Sequence, residues 1–268
     1  MKMQSESFNM LDEIIKQGLL FIGTFAANLF ASVSGGGAGF VQFPLLILLG
    51  LPFATALGSH KVAVVFLGIG ALAKKRRMHD DSFSLDKQVG LIMTLLCIPA
   101  VVSGSLIIVN VPTHQAEIVL GFITIAAGIY TLFKKSFGAQ RLEHRSLTRT
   151  ILGTICLILI GMFSGSLSSG AGLFATLTLV GIMGLDLKNA IFHTMIFVAT
   201  IWNGVGAVTI GMVASIHWQW IPTMIIGTIL GSYFGTSLMI KLPVKTVKKV
   251  FSMVAIFSGV MLIYAAYR

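Results

Sequence analysis

Apolar and polar positions along this chain are arranged in blocks, with long apolar runs cut by short polar or glycine-rich links. Ten runs can be marked, at about 14–34, 38–50, 53–73, 87–109, 115–133, 149–169, 171–184, 188–211, 218–240 and 244–267. A helix needs about 20 apolar residues to cross the hydrocarbon of a bilayer, and most of these runs reach that length. A spanning segment must satisfy its own backbone, and an unbroken apolar run does so as a helix. The pattern predicts an all-α fold, a polytopic membrane helical bundle of 8–10 segments. Runs 38–50 and 171–184 have the length of a broken or re-entrant helix, and each follows a glycine-rich break.

The links set the expected orientation. Lys74, Lys75, Arg76 and Arg77 form one basic cluster, and Lys134, Lys135, Arg141, Arg145 and Arg149 mark a central loop. Lys241, Lys245, Lys248 and Lys249 form a third. Basic links stay on the cytoplasmic side, whereas the links near 110–114 and 212–217 carry no Lys or Arg and suit the opposite face. If each short run pairs with the helix before it, both termini fall on the non-cytoplasmic side. The first half then enters the membrane from outside and the second from inside. Residues 1–140 and 141–268 are therefore expected to be two membrane repeats of inverted topology.

A repeat is also visible in the residues. Ser34-Gly35-Gly36-Gly37-Ala38-Gly39-Phe40 lies over Leu167-Ser168-Ser169-Gly170-Ala171-Gly172-Leu173 at an offset of 133. Gly50-Leu51 then matches Gly184-Leu185, and Ala56-Leu57 matches Ala190-Ile191, at an offset of 134. Small residues let membrane helices pack closely, which is one reading of these glycines. A run of three with flanking serines destabilises a helix, and this favours a break that opens backbone N–H groups toward a ligand. The start of a short helix would add a dipole that prefers negative charge.

Polar residues inside the runs sharpen the picture. Lys61 lies well within the third run, where a charge costs about 2.5–3.5 kcal/mol or more unless it faces a cavity. A lysine snorkelling to an interface is the alternative. Ser59 and His60 adjoin it, and the second half offers His193 and Thr194 in the matching place. The candidate substrate-binding set is Ser34, Gly35, Gly36, Gly37, Gly39, Ser59, His60, Lys61, Ser168, Ser169, Gly170, His193 and Thr194. Asn28, Ser32, Gln42, Ser164 and Asn203 add neutral polar groups that either line the broken regions or bond neighbouring helices. Asp186 and Lys188 read as a solvated turn, and His114 and His217 as interfacial residues.

Composition narrows the function classes. Only 10% of residues are charged and 56% are apolar, with a mean hydropathy of +0.93, so water is not the main solvent. The net charge of +10 sits in the links, which argues for orientation and against nucleic-acid binding. Cys97 and Cys156 lie inside apolar runs without metal-ligand spacing, so no metal and no cofactor are expected. Lys2 and Lys16 give the N-terminal region a faint leader character, but Glu6, Asp12 and Glu13 and the missing cleavage site make it the first membrane segment.

The paired glycine motifs, Pro44, Ala56-Leu57-Gly58-Ser59-His60-Lys61 and Ala190-Ile191-Phe192-His193-Thr194 together resemble the TauE/SafE family of bacterial membrane transporters over nearly the whole chain. The resemblance implies export of small anions across the cytoplasmic membrane, with sulfite, sulfoacetate and related organosulfonates as substrates. The family's second polar cluster often reads His-x-Lys, whereas here it is His193-Thr194-Met195, without the second cation. The leading expectation is a secondary anion exporter working by alternating access, not an enzyme. Its partners would be a small anion, the lipid bilayer and a coupling proton or ion, with homo-oligomerisation left open. A membrane subunit of an ATP-driven or scaffold complex is the alternative, since the chain has no phosphate-binding Gly-x-x-x-x-Gly-Lys-Ser/Thr loop of its own. An intramembrane serine hydrolase using Ser168 with His193 or His217 lacks the Gly-x-Ser-x-Gly elbow.

Overall fold

The structure is a computed structural model that describes residues 2–78, 83–107, 113–134, 136–166 and 170–267. The described residues form ten helices, in the order and nearly at the places the apolar runs predict. They are α1 (Lys2–Ser34), α2 (Ala38–Leu48), α3 (Phe53–Met78), α4 (Lys87–Ile107) and α5 (Thr113–Phe133) in the first half. The second half holds α6 (Leu147–Ser166), α7 (Ala171–Gly181), α8 (Leu187–Gly211), α9 (Ile221–Lys241) and α10 (Val244–Ala266). Among the described residues, seven stretches are long and apolar enough to cross a membrane, and Ala38–Leu48, Gly121–Phe133 and Ala171–Gly181 are shorter. At about 1.5 Å per residue, the 11 residues of α2 or of α7 cover roughly half of a 30 Å hydrocarbon layer.

Local chemistry explains where the helices begin and break. Asp86 caps α4 by accepting from the Val89 N–H at 3.1 Å, and Asp186 caps α8 by accepting from the Asn189 N–H at 3.0 Å. α3 is interrupted by a turn at Val65 and Phe66, and α4 and α8 contain π-helical stretches at Ile92–Leu96 and Thr194–Trp202. The indole N–H of the fully buried Trp202 donates to the Met93 carbonyl at 2.7 Å, which joins the two π stretches.

Packing laces the halves together. α1 lies along α9, α4 along α6, and α5 along α10. Gly227, Gly231 and Gly235 recur every fourth residue on α9 and face the carbonyls of Phe21, Phe25 and Leu29, so the first of these helix pairs meets backbone to backbone. Gly104 on α4 and Gly165 on α6 make the same close crossing.

The two ends of the bundle differ in charge. At one end Arg141 and Arg145 of the central loop reach Asp86 at 2.7 and 3.0 Å. Arg145 Nε also donates to the Met183 carbonyl, and Leu142 N–H to Gly184. Lys75 donates to the Phe83 carbonyl and Lys248 to the Lys134 carbonyl, the latter at 3.0 Å, at the same end, so described members of all three basic clusters gather there. The opposite end joins Trp220 to Glu13, Thr55 to Ser215 and the His217 N–H to Ser59. The matching links Gly50-Leu51 and Gly184-Leu185 thus lie at opposite ends of the bundle.

Candidate functional site

The breaks before α2 and α7 follow from backbone geometry that only glycine adopts freely. Gly37 and Gly170 occupy the N-cap positions with φ of 99° and 90°. Ser34 holds the first turn, its Oγ lying 2.7 Å from the Gly36 carbonyl and 2.8 Å from that of Phe30. The two turns touch across the halves. A Cβ on Gly36 would lie 2.6 Å from the Leu173 nitrogen, and one on Gly172 would lie 2.6 Å from the Gly35 oxygen. The Gly35 carbonyl also accepts from Thr194 Oγ1 at 3.0 Å and Thr176 Oγ1 at 3.3 Å, so the second half holds the first half's turn in place.

A cavity of about 50 Å³ opens beside this contact. At about 10–15 Å³ per water it has room for a few waters or one small ion. Its lining includes residues 35–39 and 170–172, that is, the first turns of both short helices, whose leading N–H groups have no partner within the helix. His60, Ser164, Thr194 and Asn203 supply the other polar groups, and Val64, Leu67, Met195 and Val198 apolar ones.

Lys61 sits directly behind that lining. It is fully buried, its Nζ donates to the Ser164 carbonyl at 2.5 Å, and Asn203 Oδ1 is 3.5 Å away. Both partners line the cavity, and among the described residues no carboxylate pairs with this ammonium. Gly206 makes room for the side chain, since a Cβ there would lie 3.1 Å from Lys61 Cδ. His60 borders the cavity from α3, and its Nδ1 is 3.2 Å from Gln42 Oε1 in a buried amide and hydroxyl cluster that includes Asn28 and Thr228.

Of the residues singled out from the sequence, the structure brings Gly35, Gly36, Gly37, Gly39, His60, Gly170 and Thr194 to the cavity wall. Lys61 lies one layer back, and Ser34 is engaged in its own turn. Ser59 accepts from the His217 N–H at the far end of α3, and His193 belongs to the basic end of the bundle. Ser168 and Ser169 lie outside the described residues. Ser164 and Asn203 stand out as Lys61's partners, a role that a single Ser or Asn does not announce in sequence. Gly172 aligns with Gly39 in the repeat, and that alignment was the signal for its place at the contact.

Fold and site define a polytopic helical membrane protein with a small polar cavity at the meeting of two short-helix N-termini. The chain belongs to the sulfite exporter TauE/SafE family, which matches residues 19–262. Over 263 residues it is 27% identical to the probable membrane transporter protein ORF9 of Sinorhizobium sp, covering 97% of this chain and 95% of that one. It is 26% identical to the probable membrane transporter protein YfcA of Escherichia coli K12, over 96% and 92% of the two chains. The probable membrane transporter protein YdhB of Bacillus subtilis is 22% identical over 87% and 94%. No solved structure gives a significant match. The protein is a multi-pass membrane transporter, and these relatives carry transporter rather than enzyme names.

Proposed function

We propose that this transporter moves small anions, with sulfite and short organosulfonates as its substrate class, by alternating access through the cavity between the glycine turns. One observation carries the reading: a fully buried lysine whose partners among the described residues are neutral oxygens, beside two helix N-termini. An isolated buried ammonium is costly in hydrocarbon, and an anion in the cavity would offset that cost. The donors that surround the cavity would replace the water that the anion sheds. Sulfite suits a space of about 50 Å³ directly, and a longer organosulfonate requires the cavity to widen.

The halves 1–140 and 141–268 act as inverted repeats in this reading. Support comes from the matching left-handed glycines, the exchange of partners between α1–α9 and α6–α4, and the opposite placement of the links at Gly50 and Gly184. The basic end faces the cytoplasm of a bacterial cell and both termini lie outside it, in keeping with the distribution of Lys and Arg.

The test is Lys61→Met in proteoliposomes loaded with sulfite or sulfoacetate. Initial efflux at subsaturating substrate should fall steeply while the protein still folds and inserts. An unchanged rate would remove Lys61 from the mechanism, and with it the anion reading.

A further inference from the structure

We propose that His193 binds the coupling proton of this transporter, and that protonation there unlatches the basic end of the bundle and resets the cavity wall. The proposal rests on the transport reading above and names its coupling ion.

The imidazole is fully buried, and both ring nitrogens are engaged. Nδ1 lies 2.7 Å from the Asn189 carbonyl, and Nε2 lies 2.8 Å from the Asp86 nitrogen. A carbonyl can only accept, so Nδ1 carries the hydrogen. A backbone N–H can only donate, so Nε2 presents its lone pair. The ring is thus neutral in one tautomer, and a further proton has one place to go, Nε2. There it would face the Asp86 N–H donor to donor, and the bond would break.

That bond is a latch. It ties the first turns of α8 to the segment leading into α4, beside a second tie from Ser84 N–H to Asn189 Oδ1 at 3.1 Å. Among the described residues, the charged groups around the ring are Asp86 before α4, Arg141 of the central loop and Asp186 before α8. Arg145 shares the Asp86 carboxylate with Arg141. From α3, Lys75 donates to the Phe83 carbonyl and lies 5.5 Å over the Phe192 ring. On the α10 side Lys248 is turned to the carbonyls of Leu132 and Lys134. An imidazolium at this point would compete with Arg141 and Arg145 for the Asp86 carboxylate, so the proton redistributes an existing ion cluster.

The same helix carries the event to the cavity. His193 precedes Thr194, which holds the Gly35 carbonyl and begins the π stretch Thr194–Trp202. A π stretch already departs from α register, and such bulges kink helices and are frequent at functional sites. Thr194, Met195, Val198 and Asn203 line the cavity, and Asn203 also faces Lys61. The closed form occupies Nε2 and the open form frees it, so a proton favours the open form, and anion and proton affinities are linked by the same free energy.

The experiment uses two substitutions. In His193→Gln the side-chain oxygen can accept the Asp86 N–H but cannot titrate, and in His193→Asn the shorter amide leaves that N–H without its acceptor. With labelled sulfoacetate in proteoliposomes, H193Q should lose accumulation driven by a pH gradient, and the counterflow that remains should no longer vary with pH. Accumulation by H193Q equal to that of the wild type overturns the proposal. Amide hydrogen exchange of segment 83–90 gives a readout independent of substrate. Near pH 8 wild type and H193Q should exchange alike, and at acid pH, below the ordinary histidine range, the wild type should exchange faster. H193N should exchange fast at both, and a wild-type to H193Q ratio that does not change with pH also overturns the proposal. If the wild type shows no counterflow at all, the anion reading fails, and the exchange ratio still decides whether His193 is a proton-operated latch.

Discussion

Adding one methyl group at Gly172 tests whether the contact between the two glycine turns is as close as the backbone places it. A Cβ there would lie 2.6 Å from the Gly35 oxygen and 2.9 Å from the Gly36 Cα, and both are backbone atoms that cannot rotate away. Ordinary contact begins near 3.4 Å, so the turns would have to part by roughly 0.5–0.8 Å; overpacking of this kind costs about 1–3 kcal/mol. The Gly35 carbonyl would be pushed off its bonds from Thr194 and Thr176, at about 1 kcal/mol each. Gly181 on the same helix is the control, because a Cβ there meets nothing within 4 Å. Gly181→Ala should be neutral or stabilising by up to about 1 kcal/mol through helix propensity. Thermal unfolding in detergent, with anion efflux measured on the same preparations, compares the two. Gly172→Ala should melt below the wild type and transport slowly, whereas Gly181→Ala should match or exceed it. Equal melting and equal flux for both variants would refute the close approach of the turns.

Three further outcomes follow from particular contacts. Trp202→Phe removes the N–H that satisfies the buried Met93 carbonyl and should cost about 1–3 kcal/mol in unfolding free energy; no loss of stability would mean that the two π stretches are not joined there. Burial alone would raise the Asp86 carboxyl, but the Val89 N–H and the guanidiniums of Arg145 and Arg141 together hold it below the usual carboxylate range. Its contribution to stability is therefore complete above about pH 4 and is lost as pH falls through its folded value. Asp86→Asn should lower the melting temperature at neutral pH and make little difference near about pH 2, and a deficit that persists undiminished in acid would contradict the assignment. Gly231→Val should separate α1 from α9, since a Cβ there already crowds the Phe25 carbonyl; crosslinking between cysteines placed on the two helices should weaken, and unchanged crosslinking would count against the backbone contact.

Helix number and order were legible because a run of apolar residues long enough to span lipid admits few other structures. Their edges were less so. α3 runs on to Met78, beyond the expected 73, because Lys74, Lys75, Arg76 and Arg77 stay helical after the apolar residues stop. α9 begins at Ile221 rather than 218, since residues 218–220 form a turn. The glycine pairs were readable as breaks because left-handed backbone selects glycine, and Lys61 because a cation in an apolar run demands an explanation. Its partners were not readable, for Ser164 is 103 and Asn203 142 positions away. The π stretches leave no compositional mark at all. His193 was conspicuous, yet its distance from the cavity depends on an amide of Asp86, and no side-chain pattern encodes that.

The glycine stripe of α9 also bears on how the chain is made. Asn28 on α1 donates to Thr228 on α9, a partner that follows it by 200 residues. At a synthesis rate of about 5–20 residues per second, α1 resides in the bilayer for roughly 10–40 s before that partner leaves the ribosome. During this interval its amide can bond the Thr24 carbonyl of its own helix, 2.8 Å away, or Gln42 of α2, while the face at Phe21, Phe25 and Leu29 is covered by lipid or by the insertion machinery. Assembly can be completed only after the ninth helix arrives, so chains truncated before residue 227 should be recognised and degraded by membrane quality control.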